Sequence, residues 1–211
     1  MLRIIRSTDR KSIAGLLQAR QASLVEAEEV ARHILAEVRR EGDRALIRFA
    51  RQFDRLDLRA CGFTVSDEEI RQAYKKVPEG FVKALRVAAQ NIRAAARRQL
   101  PQPPKMFTHS GVTVGQVIRP LGRVVCYVPG GRFPLPSTVL MSVIPAQTAG
   151  VREVLVTSPR PAPAVLVAAD MLGVKKIFRL GGAQAIGADE NIRLENLWDG
   201  VETMAELLAM P

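Results

Sequence analysis

Histidine and cysteine are scarce in this chain, and the scarcity bounds its chemistry before any motif is considered. Only His33, His109, Cys61 and Cys126 occur in 211 residues, and no cluster of Cys, His and carboxylate has zinc spacing. With no CxxC pair, and with Cys126 inside an apolar run, both cysteines read as free thiols engaged in packing. His33 falls in a charged helical stretch and His109 in a short segment ahead of a strand, so both read as surface or packing residues. Aromatics make up only 5% of the chain, which leaves little for base stacking. The net charge of +10 would attract phosphate backbones. Its arginines, however, are interleaved with carboxylates, as in Glu37, Arg39, Arg40 and Glu41, which describes a solvated basic face; a nucleic-acid partner is not expected. No uncharged run approaches the roughly 18 positions of a membrane span. Arg3 and Arg6 interrupt the amino-terminal apolar patch, unlike a secretory signal. No membrane association and a cytoplasmic location are the expectations.

What the chain does have is apolar residues, 47% of the total, enough for a real core. Leu24, Val25, Val30, Ile34, Leu35 and Val38 recur at helical spacing over residues 24–40, with Ser23 placed as the N-cap and Gly42 as the breaker. A second helix is predicted from Asp43, carrying Ala45, Leu46, Phe49 and Phe53 on one side. Ser66 and Glu69 have capping-box spacing and open a short helix through Lys75. A longer Ala- and Arg-rich helix over residues 79–100 ends at Pro101, and residues 101–104, Pro-Gln-Pro-Pro, form a stiff linker. The period then changes. Val112, Val114, Val117 and Ile118 indicate strand. Residues 123–128 suit a strand buried on both faces, and residues 153–157 and 176–180 are further short strands. Helices over residues 137–149, despite Pro145, and 163–172 separate them.

The fold class is therefore α/β: a helical amino-terminal region, residues 1–104, followed over residues 105–188 by a partial Rossmann-like parallel sheet with flanking helices and right-handed crossovers. In such sheets ligands bind outside the carboxyl ends of the strands. Two glycine turns lie there, Gly130-Gly131 after Tyr127 and Gly181-Gly182 before Gln184. Neither fits GxGxxG, so two readings stay open: backbone amides approaching an anion, or tight strand-to-helix turns.

Several motifs occur together. Tyr-Val-Pro-Gly-Gly at 127–131, Pro-Ser-Thr-Val-Leu-Met at 136–141, Ile-Pro-Ala at 144–146, Ala-Gly-Val at 149–151 and Gly-Gly-Ala-Gln-Ala-Ile at 181–186 resemble successive blocks of the histidinol dehydrogenase family, in order. Val38 to Leu46, Phe53-Asp54 and Arg98 to Pro101 are similar to its amino-terminal helices, and the resemblance spans about residues 2–188. It implies oxidation of L-histidinol through an aldehyde to L-histidine, with two NAD molecules and a bound zinc. It also implies that Tyr127 and Gln184 face NAD, with Gly130, Gly131, Gly181 and Gly182 in the cofactor turns. A Tyr ring packs while its hydroxyl hydrogen-bonds, and a Gln amide serves groups of both signs. By the same resemblance the two zinc-binding histidines and the adjacent Glu-His acid-base pair belong downstream, so no catalytic or metal residue is assigned in this chain.

The segment 132–135, Arg-Phe-Pro-Leu, departs from the family's small residues and Tyr, leaving room for relatives acting on other hydroxylated substrates such as sulfopropanediol. Residues 189–211 depart further. Leu194, Leu197, Trp198, Val201, Met204 and Leu208 lie at roughly helical intervals between Glu195, Asp199, Glu202 and Glu206, which predicts an acidic amphipathic helix. It would cover the shortened sheet or dock on another subunit. Three functions stay open: the inactive cofactor-binding portion of a dehydrogenase, one chain of a split enzyme whose partner supplies the missing half, or a non-catalytic regulatory protein. A homodimer is implied by the resemblance.

Overall fold

The computed structural model describes residues 5–102, 106–115, 118–130 and 134–181. Helix α1 (Arg10–Glu41) is capped by Asp9, whose side chain accepts from the Ser12 amide at 3.1 Å. The expected start at Ser23 is thus corrected by more than three turns. Arg, Lys, Leu, Gln and Ala dominate the added length and sustain helix without an amphipathic stripe, so position 23 falls in the helix interior. Gly42, at φ 58°, ends α1 as expected and leads into α2 (Asp43–Asp54). A short turn of helix, α3 (Leu58–Cys61), had no sequence signature long enough to detect. The capping box forms: Ser66 accepts from the Glu69 amide, and Glu69 accepts from the Ser66 amide, opening α4 (Asp67–Lys76). Helix α5 (Glu79–Arg98) stops three residues before Pro101.

Strands β1 (Phe107–His109) and β2 (Val112–Val114) make an antiparallel hairpin closed by Ser110 and Gly111, both at positive φ. His109 therefore lies within a strand and not before one, stacked beside Phe107 at 6.1 Å. Ile118 lies outside β2, while Val117 falls outside the described residues.

The main sheet is parallel, in the order β3-β4-β5: β3 (Arg123–Tyr127), β4 (Glu153–Thr157) and β5 (Ile177–Phe178). Helices α6 (Pro136–Thr148) and α7 (Pro163–Met171) form the crossovers. Pro145 is tolerated because it sits in the last turn of α6, where a single amide is lost to the ladder. Both crossover helices pack on the same face. There Val124, Cys126, Val154, Val156 and Ile177 meet Val143, Ile144, Val165 and Val167, with Val82, Leu85 and Ala89 of α5 behind them. Each Val, Leu or Ile withdrawn from water contributes roughly 1.5–3 kcal/mol before conformational entropy is counted. On the opposite face Val125, Phe178 and Leu180 pack with Ile34, Val38, Leu46, Phe49 and Leu58 from α1, α2 and α3. The helical region and the sheet therefore share their cores. Tyr74 adds a directional tie, donating to the Asp170 carboxylate at 2.8 Å; burial, then the neighbouring charge, pushes its hydroxyl up to about 12.

Strand β3 is less buried than its apolar run suggested, because it stands at the sheet edge: Arg123 and Tyr127 are exposed, and Val124 and Val125 are half-buried. Cys126 is buried and its thiol is pushed up by that burial, in keeping with a packing role. Cys61 is also free but exposed. No helix among the described residues is long and apolar enough to cross a membrane. The tail over residues 189–211 lies outside the described residues.

The other edge of the sheet is closed. Residues 63–65 run beside β5, with Val65 donating to the Ile177 carbonyl at 2.9 Å and Arg179 donating its amide to the Phe63 carbonyl at 2.8 Å. The buried Arg179 guanidinium then bonds the Thr64 carbonyl and the Glu69 carboxylate. Two Ser66 groups and Arg179, the Ser66 amide foremost, hold the Glu69 carboxyl at about 2, below its ordinary 4.5. A lowered folded-state value means that the ionised form is favoured by folding. This contribution is complete above pH 4.5 and is lost as pH falls toward about 2. Solvent at the half-exposed Glu69 reduces its size. Glu69→Gln is therefore expected to flatten the acid limb of the melting-temperature profile over that interval; an unchanged acid limb would show that the clamp contributes nothing.

Candidate functional site

The carboxyl ends of β3, β4 and β5 form one crest, and the sequence places most of its candidate residues there. Tyr127 is the last residue of β3 and remains 44% exposed. Its side chain lies on the α2 side of the sheet. Partial burial, and secondarily the charge of Asp54 at the end of α2, raises its hydroxyl above the usual tyrosine value. Gly130 follows three residues later and lines an open cleft of about 360 Å³ together with Phe53, Asp54, Arg55, Pro159 and Arg160. Tyr127 and Gly130 are thus brought to one rim, around Asp54. Gly181 is buried just beyond β5, two strands away. Gly131, Gly182 and Gln184 lie outside the described residues.

Arg160 shapes the rim through one guanidinium nitrogen and keeps its positive charge at the cleft. Its guanidinium donates to the carbonyls of Asp54 and Arg55, the latter at 3.1 Å, where α2 ends with Arg55 in the left-handed region. A cation at a helix carboxyl terminus satisfies otherwise unpaired carbonyls and opposes the helix dipole. The cleft wall is fixed by this contact.

Gly130 has a role that the turn motif did not reveal. A Cβ at this position would come within 2.9 Å of Pro159 Cγ and 3.2 Å of the Arg160 nitrogen. The missing side chain lets the turn after β3 lie against the turn after β4. This is a close approach of two turns, and Gly130 itself does not adopt the left-handed region.

Two further features belong to the crest. Ser158, immediately after β4, donates its amide to the Phe178 carbonyl at 2.9 Å, yet its buried Oγ has no hydrogen-bond partner among the described residues. A buried hydroxyl left without a partner costs free energy, which makes this crest position notable. A hydroxyl between a buried strand and a proline, Thr157-Ser158-Pro159, was the available signal. Its neighbour Thr157 is different: it donates to the Leu180 carbonyl at 2.7 Å and only ties β4 to the end of β5.

The second feature is the pair of helix starts. By connectivity α6 and α7 begin on the crest side. Each has Pro in its first turn, no acidic residue there and no side-chain cap, so their leading amides are not neutralised locally. Amides with these properties favour an anion.

The donor set does not fit a zinc centre. Among the described residues no three His, Cys, Asp or Glu side chains converge. His33 lies 3.5 Å from Glu37 and packs edge-on to Phe49, while His109 belongs to the exposed hairpin.

The family model for histidinol dehydrogenase matches residues 17–189. The chain belongs to the histidinol dehydrogenase family. It is 48% identical over 168 residues to histidinol dehydrogenase of Symbiobacterium thermophilum, covering 77% of this chain and 38% of that one. It is 42% identical over 198 residues to the Gloeobacter violaceus enzyme, covering 89% of this chain and 44% of that one. The crystal structure of histidinol dehydrogenase from Elizabethkingia anophelis superposes with a TM-score of 0.69 at 33% identity, over 79% of this chain and 40% of that one. The chain thus spans well under half the length of these relatives.

Gly130→Ala forces the two crest turns apart and is expected to cost about 1–3 kcal/mol in urea unfolding. Unchanged stability would mean that the turns do not meet as described.

Proposed function

We propose that this chain is the cofactor-binding portion of a histidinol dehydrogenase, that the sheet crest takes NAD, and that the chain alone does not complete histidinol oxidation. Family membership supports the cofactor class. The observation that carries its location is the Ser158 Oγ, without a partner among the described residues, which lies where the strands end and the two helices without side-chain caps begin. In this reading the leading amides of α6 and α7 receive the pyrophosphate. Ser158 supplies a hydrogen bond to a polar atom of the dinucleotide. Tyr127 provides a partly exposed ring for packing, and Gln184, Gly131, Gly181 and Gly182 complete the turns by resemblance to the family.

NAD supplies the hydride acceptor when bound; this chain's residues bind and orient it. Completion of the reaction needs acid-base and zinc-binding groups that the family resemblance assigns elsewhere. His33 lies in α1 beside Glu37 and Phe49, and His109 lies in the exposed hairpin. The proposed incompleteness rests on those two positions and on the chain's share of its relatives' length.

Titration of the purified chain with NAD, followed by a histidinol oxidation assay with and without zinc, tests both parts. Saturable NAD binding without turnover is expected. Ser158→Ala and Tyr127→Ala should each weaken NAD by about three- to tenfold, equivalent to one modest hydrogen bond or packing contact. Ser158→Ala should leave thermal stability equal or higher, since it removes an unsatisfied hydroxyl. Turnover by the chain alone would sink the incompleteness claim. Undiminished NAD affinity in both variants would move the site away from the crest.

A further inference from the structure

Helix α1 extends well beyond the core that anchors it. Among its described residues no side chain is buried before Ile34; Ile34 and Val38 then join Leu46, Phe49 and Leu180 in one core. The arm over residues 10–33 contributes no described residue to either core. On it Leu16 and Leu17 are 58% and 60% exposed, and Val30, two heptads beyond Leu16 and on the same helix face, is 49% exposed. Helices draw most of their stability from packing of an apolar face, and Gly15 lowers the arm's own propensity further.

The arm's charge is as one-sided as its cover. Residues 10–25 include Arg10, Lys11 and Arg20 and no acidic residue. Ion pairs of α1 begin only at Glu28, and Arg10 and Lys11 have no ion-pair partner among the described residues. Residues 189–211 have the opposite balance: Asp189, Glu190, Glu195, Asp199, Glu202 and Glu206 are offset by Arg193 alone. The last four of those acids recur at helical spacing beside a row of Leu194, Leu197, Val201, Met204 and Leu208. This segment lies outside the described residues, and the family match stops at residue 189.

The path of the chain brings the two together. The described fold is left at Gly181, next to Leu180, which shares its core with Ile34 and Val38 at the root of the arm. Residues 182–191 can span up to about 33 Å when extended. A helix over residues 192–210 would run about 28 Å, against about 36 Å for the arm. We infer that residues 192–210 form a helix that docks along the amino-terminal arm of α1 in the same molecule and antiparallel to it. Its leucine row covers Leu16 and Val30, and Glu202 and Glu206 lie toward Arg10 and Lys11. The antiparallel sense follows from the exit at the root, and it sets the negative end of the tail helix near the positive start of α1. The inference goes beyond the cofactor reading and does not depend on it.

The test uses the full 211-residue chain carrying one nitroxide. Cys61→Ser removes the exposed native thiol, Cys126 being buried, and the label is placed at Thr203→Cys or Asn196→Cys, off both rows of the tail. The label at 203 should broaden the amide signals of residues 10–18 more than those of residues 28–33, and the label at 196 should do the reverse. Glu202→Lys with Glu206→Lys should weaken docking by about five- to tenfold, and adding Arg10→Glu with Lys11→Glu should restore it. If the charge-reversed chain does not fold by circular dichroism, the labelled chains with natural charges decide. Unbroadened α1 signals would overturn the inference, as would broadening centred on the crest or on Arg152, Lys175 and Lys176. So would broadening of α1 in an isotope-labelled chain mixed with a separate nitroxide-bearing one, since the tail would then dock on a second copy.

Discussion

Residues 63–65 lie along β5, and Arg179 keeps them there by reaching both the Thr64 carbonyl and the Glu69 carboxylate. The rest of the arrangement depends on that clamp. A buried guanidinium left without acceptors would be costly, so α4, whose capping box also uses Glu69, is obliged to begin beside the sheet edge. With α4 fixed there, its Tyr74 reaches Asp170 of α7, and α4 and α5 complete the outer cover of the crossover helices. The two contacts of the Arg179 side chain thus add to the main-chain bonds and shared core that couple the helical amino-terminal region to β5.

The consequence for function lies at the carboxyl ends of the strands, just beyond Arg179. Holding β5 against β4 sets the Thr157 hydroxyl on the Leu180 carbonyl and places Ser158 beside Phe178, aligning the crest. The α2 terminus reaches the crest from the other face, where Arg160 grips its final carbonyls and Gly130 admits the neighbouring turn. The cleft is therefore bounded by two strand-to-helix turns and a helix end. Its polar character comes from oriented backbone amides together with the Arg160 guanidinium.

Much of this was legible from local rules. Gly42 as breaker, the Ser66–Glu69 box and the alternation of apolar bursts with helices each depend on a few adjacent residues. Features set by distant partners were not. Ser23 has the chemistry of a cap, but a stretch dominated by good helix formers carried α1 back to Asp9 despite Gly15. The apolar content of β3 signals an interior strand and says nothing about which neighbours are present. Gly130 reads as a turn residue, whereas its contact is with Pro159, a whole crossover away. Arg179 inside an apolar strand gave no sign that its partners were residues 64 and 69. Ser158 became notable only once its hydroxyl was found buried and unpartnered.

The central claim is that anionic dinucleotide belongs at the carboxyl crest. A second cleft, lined by Arg152, Lys175 and Lys176 at the amino ends of β4 and β5, offers more formal positive charge and provides the sharpest contrast. Backbone amide chemical shifts recorded while NAD is added distinguish the two ends of the sheet directly. The account predicts the largest changes at Tyr127, Gly130, Ser158 and the first turns of α6 and α7. Changes centred on Arg152, Lys175 and Lys176, with the crest silent, would contradict it.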